Sequence, residues 1–133
     1  MTQKVATYLF EGWFSIDIPD SWEYYEEDQI INIYSSVNPK GAIQISVYRL
    51  TAEETKISRD KIAEHHLITF IEGPDKTIAI ADGTLDGDFI KIWALVNQTC
   101  TSLLIITYIS EKKSRELSKV GDIVYSIFFD YDH

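Results

Sequence analysis

At 133 residues, with 45% hydrophobic and 13% aromatic residues, the chain is long and apolar enough to bury one core, read as a single domain over 1–133, and is neither disordered nor fibrous. A formal net charge of −9 at pH 7 excludes tracking of a phosphate backbone and works against anionic membrane surfaces, so neither a nucleic acid nor a membrane is expected as partner. Cys100 is the one cysteine, which excludes an internal disulfide and a thiolate zinc cluster. Its neighbours Thr99 and Thr101 bring no cation that would activate a thiolate.

Four short strands come first, within 7–11, 13–18, 22–26 and 29–36. In the second, Phe14, Ile16 and Ile18 alternate with polar positions until Pro19-Asp20-Ser21 turns the chain. Trp22 follows and is read as a core plug at the end of a sheet. Glu23, Tyr24, Tyr25, Glu26, Glu27 and Asp28 form an acidic aromatic run, read as a charged sheet edge. The segment Asn38-Pro39-Lys40-Gly41 joins the fourth strand to a fifth at 42–50, because proline presets one backbone angle and glycine tolerates a positive one.

Parity divides this hairpin into two faces. Ile31, Ile33, Ile43, Ile45 and Val47 fall on one side, which must be core. The other side carries Ile30, Asn32, Tyr34, Gln44, Ser46 and Tyr48, and Trp13 shares the parity of the outward residues Ser15 and Asp17. Large amphipathic rings among adaptable donors and acceptors suit an interface hot spot, so Trp13, Asn32, Tyr34, Gln44, Ser46 and Tyr48 are the candidate partner-binding set.

A helix is expected next, from the capping box Thr51-Ala52-Glu53-Glu54 through the stripe Ile62, Ala63, His66, Leu67 and Phe70 to the stop at Gly73-Pro74. Then come a strand at Thr77–Ala81, a turn around Asp82-Gly83 and a long hairpin at 88–96 and 101–109, apolar on both faces. Strands of that kind belong in the centre of a sheet covered on both sides. A last helix over about 111–128 points Leu117, Val120, Ile123, Val124 and Ile127 inward. The expectation is an α+β fold: an antiparallel sheet with helices on both faces, an α/β/α sandwich of order βββββ-α-βββ-α. Ile33, Ile45, Leu67, Trp93, Ile105 and Val124 are expected to share one continuous core.

No arrangement carries catalysis. His65 and His66 are adjacent on a helix and point about 100° apart, so they cannot chelate one ion. His133 is terminal, and Asp82-Gly83-Thr84-Leu85-Asp86-Gly87-Asp88 lacks the spacing and closing glutamate of a calcium loop. Neither a glycine-rich phosphate loop nor a Ser/His/Asp set is present, so no cofactor, metal or enzymatic activity is expected.

The alternating strand, the Pro-Asp-Ser-Trp turn at 19–22, the acidic aromatic segment and the hairpin ending near Tyr48 resemble the opening of the PsbP-like superfamily. That superfamily takes in the Mog-type Ran-binding proteins and the adaptor chaperones of type VI secretion. The second long hairpin and the terminal helix fit the same plan. The resemblance implies an α/β/α sandwich and a non-catalytic adaptor or chaperone-like module that binds another polypeptide, in some of its adaptors one with apolar segments; the acidic charge suits a basic partner, and the aromatic face makes a second copy of the chain a further candidate. An acidic immunity-type protein neutralising a basic toxin is the alternative, and a small-molecule enzyme ranks below both. Met1-Thr2-Gln3-Lys4 shows no leader pattern, and the longest apolar runs, such as Leu103-Leu104-Ile105-Ile106, fall far short of the roughly 20 residues that span a bilayer. The expected location is the cytoplasm.

Overall fold

The computed structural model describes residues 5–10, 13–28, 30–37, 39–49, 69–72, 76–97, 102–111 and 115–129. Among these residues the chain forms β1 (Val5–Phe10), β2 (Phe14–Pro19), β3 (Trp22–Glu27), β4 (Ile30–Ser35), β5 (Gly41–Arg49), β6 (Thr69–Glu72), β7 (Lys76–Leu85), β8 (Asp88–Asn97), β9 (Ser102–Ser110), α1 (Glu116–Tyr125) and β10 (Phe128–Phe129). The strands build two antiparallel sheets, a seven-stranded one in the order β3-β4-β5-β9-β8-β7-β6 and a three-stranded one in the order β1-β2-β10.

The expected sandwich is overturned. Its second layer is not a helical layer but the small sheet together with α1, the one helix among the described residues. Phe14, Ile16 and Ile18 of β2 are fully or almost fully buried and meet Ile33, Ile43, Ile45, Leu104 and Ile106 of the large sheet in one cluster. Val120, Ile123 and Val124 of α1 join it, as do Ile127 and Phe129 just beyond the helix. Strand β2 therefore serves as a lid for the large sheet, which its alternating pattern permits and its pairing with β1 enforces.

The strand pairs explain the rest. Apolar residues on both faces place β9 between β5 and β8, as expected for a central strand. Ile106 is fully buried on the core face, beside Ile45 and Trp93. Ile105 points the other way and packs against a second cluster of Ala79, Ala94, Val96 and Leu103. The single continuous core expected from the sequence is thus two clusters on opposite faces of one sheet; Leu67 lies outside the described residues.

Three boundaries also differ. Phe70 sits in β6, opposite Ala79, rather than on a helical stripe; residues 50–68, which hold the rest of that expected helix, lie outside the described residues. Strand β7 runs through Asp82-Gly83 to Leu85, and the turn falls at Asp86-Gly87, where φ is 53° and 87°. Two consecutive positive angles make a two-residue loop whose twist matches the hairpin, so the second Asp-Gly pair wins over the first. Helix α1 stops at Tyr125, and Phe128–Phe129 pair with β2 instead of extending it. The Ser126 hydroxyl fixes that exit: it donates to the Ile123 carbonyl at 2.6 Å and accepts from the Asp17 amide at 2.9 Å.

One clasp joins the layers at the other end of α1. Glu116, in the first turn, accepts from the Lys40 and Gly41 amides, each at 3.2 Å, and from the Tyr108 hydroxyl at 3.0 Å. Gly41 is the residue that allows this approach. A side-chain carbon there would meet the Ile109 carbonyl, with Tyr108 Cζ at 2.8 Å and Ser110 Cβ at 2.9 Å.

Candidate functional site: the outer face of β3, β4 and β5

The large sheet turns its two faces to different surroundings. On the core face, Ile31 and Ile33 pair with Ile45 and Ile43. The outer face follows from the same register by the two-residue alternation: Asn32 stands opposite Gln44, and Ile30 opposite Ser46. Strand β3 extends that face, with Tyr25 opposite Asn32 and Glu23 opposite Tyr34. Strand β9 continues it inward, placing Thr107 beside Gln44 and Leu103 beside Tyr48.

Cover on this face is uneven, with β4 more covered than β5 or β3. Ala94, Val96 and Leu103 are buried, whereas Gln44, Tyr48 and Tyr25 are exposed, the two tyrosines at 46% and 48%. Tyr25 and Tyr34 meet edge to face, with ring centroids 6.1 Å apart. The Tyr34 phenol is held above its ordinary value, first by donating a hydrogen bond to the Glu23 carboxylate, then by desolvation, then by the Glu23 charge.

Five of the six candidate residues therefore share one face: Asn32, Tyr34, Gln44, Ser46 and Tyr48. Asn32 is 8% exposed, so it underlies the surface more than it offers groups to a partner. Trp13 departs from the expectation. It lies in the tight turn before β2, its amide bonded to the Phe10 carbonyl at 2.9 Å, and the Arg49 guanidinium covers its ring at 3.9 Å. Arg49 has the parity of Ile45 and Val47, so Trp13 belongs to the core side of β5. There it lines a recess of about 580 Å³ between the sheets, with Phe10, Phe14, Ile31, Val47 and Tyr48. Parity along β2 could not place it, because the strand begins only at Phe14.

Tyr25, hidden in the sequence within the acidic run, is a further member of this face. The signal for it is its odd position in β3, which the β3–β4 pairing puts next to Asn32. Glu23 and Glu27 share that parity and give the aromatic face an acidic margin. His65, His66, Cys100 and His133 lie outside the described residues. Among the described residues, no group of three or more His, Cys, Asp or Glu could hold a metal ion, and no helix is long and apolar enough to cross a membrane.

No protein-family model matches the chain, and no curated protein matches it in sequence. Solved structures do match its fold. A crystal structure from Bacteroides thetaiotaomicron VPI-5482 superimposes with a TM-score of 0.69 at 14% identity, over 90% of this chain. This chain spans 46% of that one, a little under half its length. A point mutant of protein Mog1 superimposes with a TM-score of 0.56 at 9% identity, over 96% of each chain. The protein thus has a Mog1-like fold, in which a small sheet and one described helix line the core face of a wide antiparallel sheet. At such identities the likeness speaks for fold alone.

Proposed function

We propose that the protein is a non-catalytic module that binds another polypeptide on the outer face of β3, β4 and β5. One observation carries this reading: Tyr25 and Tyr48 are exposed, with half-buried Tyr34 against Tyr25, on a sheet face that is buried farther in. Rigid aromatic side chains lose little entropy on binding and dominate interface energetics, while Gln44 and Ser46 between them can pair with a partner's backbone. Glu23 and Glu27 at the margin favour a segment that carries basic residues, and the net charge of −9 steers such a partner inward. The resemblance to partner-binding PsbP-like and Mog-type proteins points the same way. An adaptor role needs both the aromatic face and its acidic margin, whereas toxin neutralisation would need the charge alone.

The test is a Tyr25→Ala, Tyr34→Ala, Tyr48→Ala triple variant, compared with wild type in quantitative capture from the native host after both show the same thermal unfolding. Wild type should retain a polypeptide in fixed proportion and the variant should lose it, since each aromatic anchor contributes about 2 kcal/mol or more. A folded variant that retains its partner fully would overturn the reading. Sedimentation of both proteins alone identifies the partner as a second copy if wild type dimerises and the variant does not.

A further inference from the structure

Strand β5 outruns one of its neighbours. The β4–β5 pairing ends at Ile30 and Ser46, whereas β5 continues beside β9 as far as Arg49 and Ser102. Among the described residues, Val47, Tyr48 and Arg49 therefore have a strand on one side only, and all three line the recess of about 580 Å³. Its inner wall is core, because Phe14 is fully buried and Ile31 nearly so. Its rim is open: Leu9 of β1 is 68% exposed, and Glu26 of β3 is exposed as well.

The size and the wall both suit a small ligand. Such sites enclose roughly 300–1,000 Å³ and are lined mainly by apolar and aromatic side chains, with a few polar groups that fix orientation. Here Phe10, Trp13 and Phe14 supply three rings, those of Phe10 and Phe14 with centroids 5.0 Å apart, and Leu9, Ile31 and Val47 supply the aliphatic part. Aromatic faces attract cations, and this wall already holds one: the Arg49 guanidinium lies 3.9 Å from the Trp13 ring centroid. A second contact, from Arg49 Nη1 to the Ser102 hydroxyl at 2.8 Å, fixes that cation as part of the wall. Charge then sets the class of ligand. Glu26 is the one carboxylate among the described lining residues, and among the described residues it has no ion-pair partner. Its strand neighbour Glu27 and the net charge of −9 add to the same potential, which draws cations and repels anions.

From this we infer that the recess binds a small organic cation with an aromatic or bulky aliphatic body. The body lies against Phe10, Phe14, Ile31 and Val47, and the cationic end is turned toward Glu26. This site is separate from the polypeptide surface proposed above, which it meets only at Tyr48.

Phenethylammonium is the probe, titrated into the full chain at constant ionic strength and followed by amide NMR shifts. Saturable shifts should centre on Leu9, Phe10, Phe14, Glu26 and Val47. Two analogues should each bind about tenfold more weakly or worse: 3-phenylpropionate, which keeps the body and reverses the charge, and ethylammonium, which keeps the charge and lacks the body. Glu26→Gln, at an exposed position, should weaken binding about threefold to tenfold with its unfolding midpoint unchanged. Tyr25→Ala, Tyr34→Ala, which leaves the recess intact, should bind as wild type does. Shifts that fail to saturate would overturn the inference, as would 3-phenylpropionate binding equally well or full affinity in Glu26→Gln. An N-acetylated Phe-Lys amide that saturates the same amides more tightly than phenethylammonium would overturn it in favour of a polypeptide side chain. Because the double tyrosine variant keeps the recess and Glu26→Gln keeps the tyrosine face, failure here and failure of the capture experiment are told apart.

Discussion

The phenol of Tyr108 donates to the carboxylate of Glu116 at 3.0 Å, so the central strand of the large sheet is hydrogen-bonded to the first turn of the helix that covers it. The same carboxylate holds the Lys40 and Gly41 amides, which brings a third element into one contact. Glu116→Ala strands three donors at once. It should lower stability by about 1–3 kcal/mol, while Tyr108→Phe, which removes one donor and leaves the backbone bonds, should cost about 1 kcal/mol. Urea unfolding of the two variants checks both values, and an unchanged midpoint for Glu116→Ala would mean the clasp contributes nothing.

Gly41→Ala should destabilise by about 1–3 kcal/mol or more, because a methyl group there drives into the Ile109 carbonyl and the Tyr108 ring. The neighbouring strand cannot retreat without breaking the β5–β9 ladder. Gly87→Ala tests a different cause: open space surrounds that position, but its φ of 87° disfavours any side chain. Melts of both variants should show Gly41→Ala as the more damaging.

Adjacent isoleucines in β9 should respond unequally to truncation. Ile106 is fully buried in the main core, so Ile106→Ala should cost about 2–5 kcal/mol. Ile105 is half-buried against the smaller outer cluster, so Ile105→Ala should cost clearly less. Equal losses in denaturant titrations would contradict the two-cluster description.

The Tyr34 phenol should titrate above the ordinary tyrosine value, because its neutral form donates to Glu23. A group whose folded value is raised contributes stability that is complete below the unfolded value, near 10. That contribution is lost as pH climbs through the higher folded value. NMR titration of the tyrosine ring carbons reads this directly. In Glu23→Gln the carboxylate charge is gone, and the Tyr34 curve should move back toward 10.

The hairpin faces were legible because a one-residue slip would expose Ile31, Ile33, Ile43 and Ile45 together, so parity alone sorted Ile33 and Ile43 from Asn32 and Gln44. The same logic put β9 at the centre of the sheet. What could not be read were choices between signals of equal local strength. Leu117, Val120, Ile123, Val124 and Ile127 keep helical spacing past the true stop, and only the docking of Phe129 on Phe14 decides that β10 is extended. Phe70 fits a helical stripe and a strand equally well, and its pairing with Ala79 settles the matter. The Glu116 clasp was out of reach for another reason: the Lys40 amide and Glu116 meet across 76 positions of sequence.

Placing β10 beside β2 also sets an order of events. Hairpins β3–β4, β4–β5, β7–β8 and β8–β9 can each zip from neighbouring residues, on the timescale of loop closure over a few positions. The small sheet is different, because Ser126 reaches Asp17 across 109 residues. During synthesis β2 therefore emerges long before β10 and α1, which complete the layer over the core face. The slowest step of folding should be this end-to-end closure, and a nascent chain halted before Phe128 should be the species that a chaperone finds.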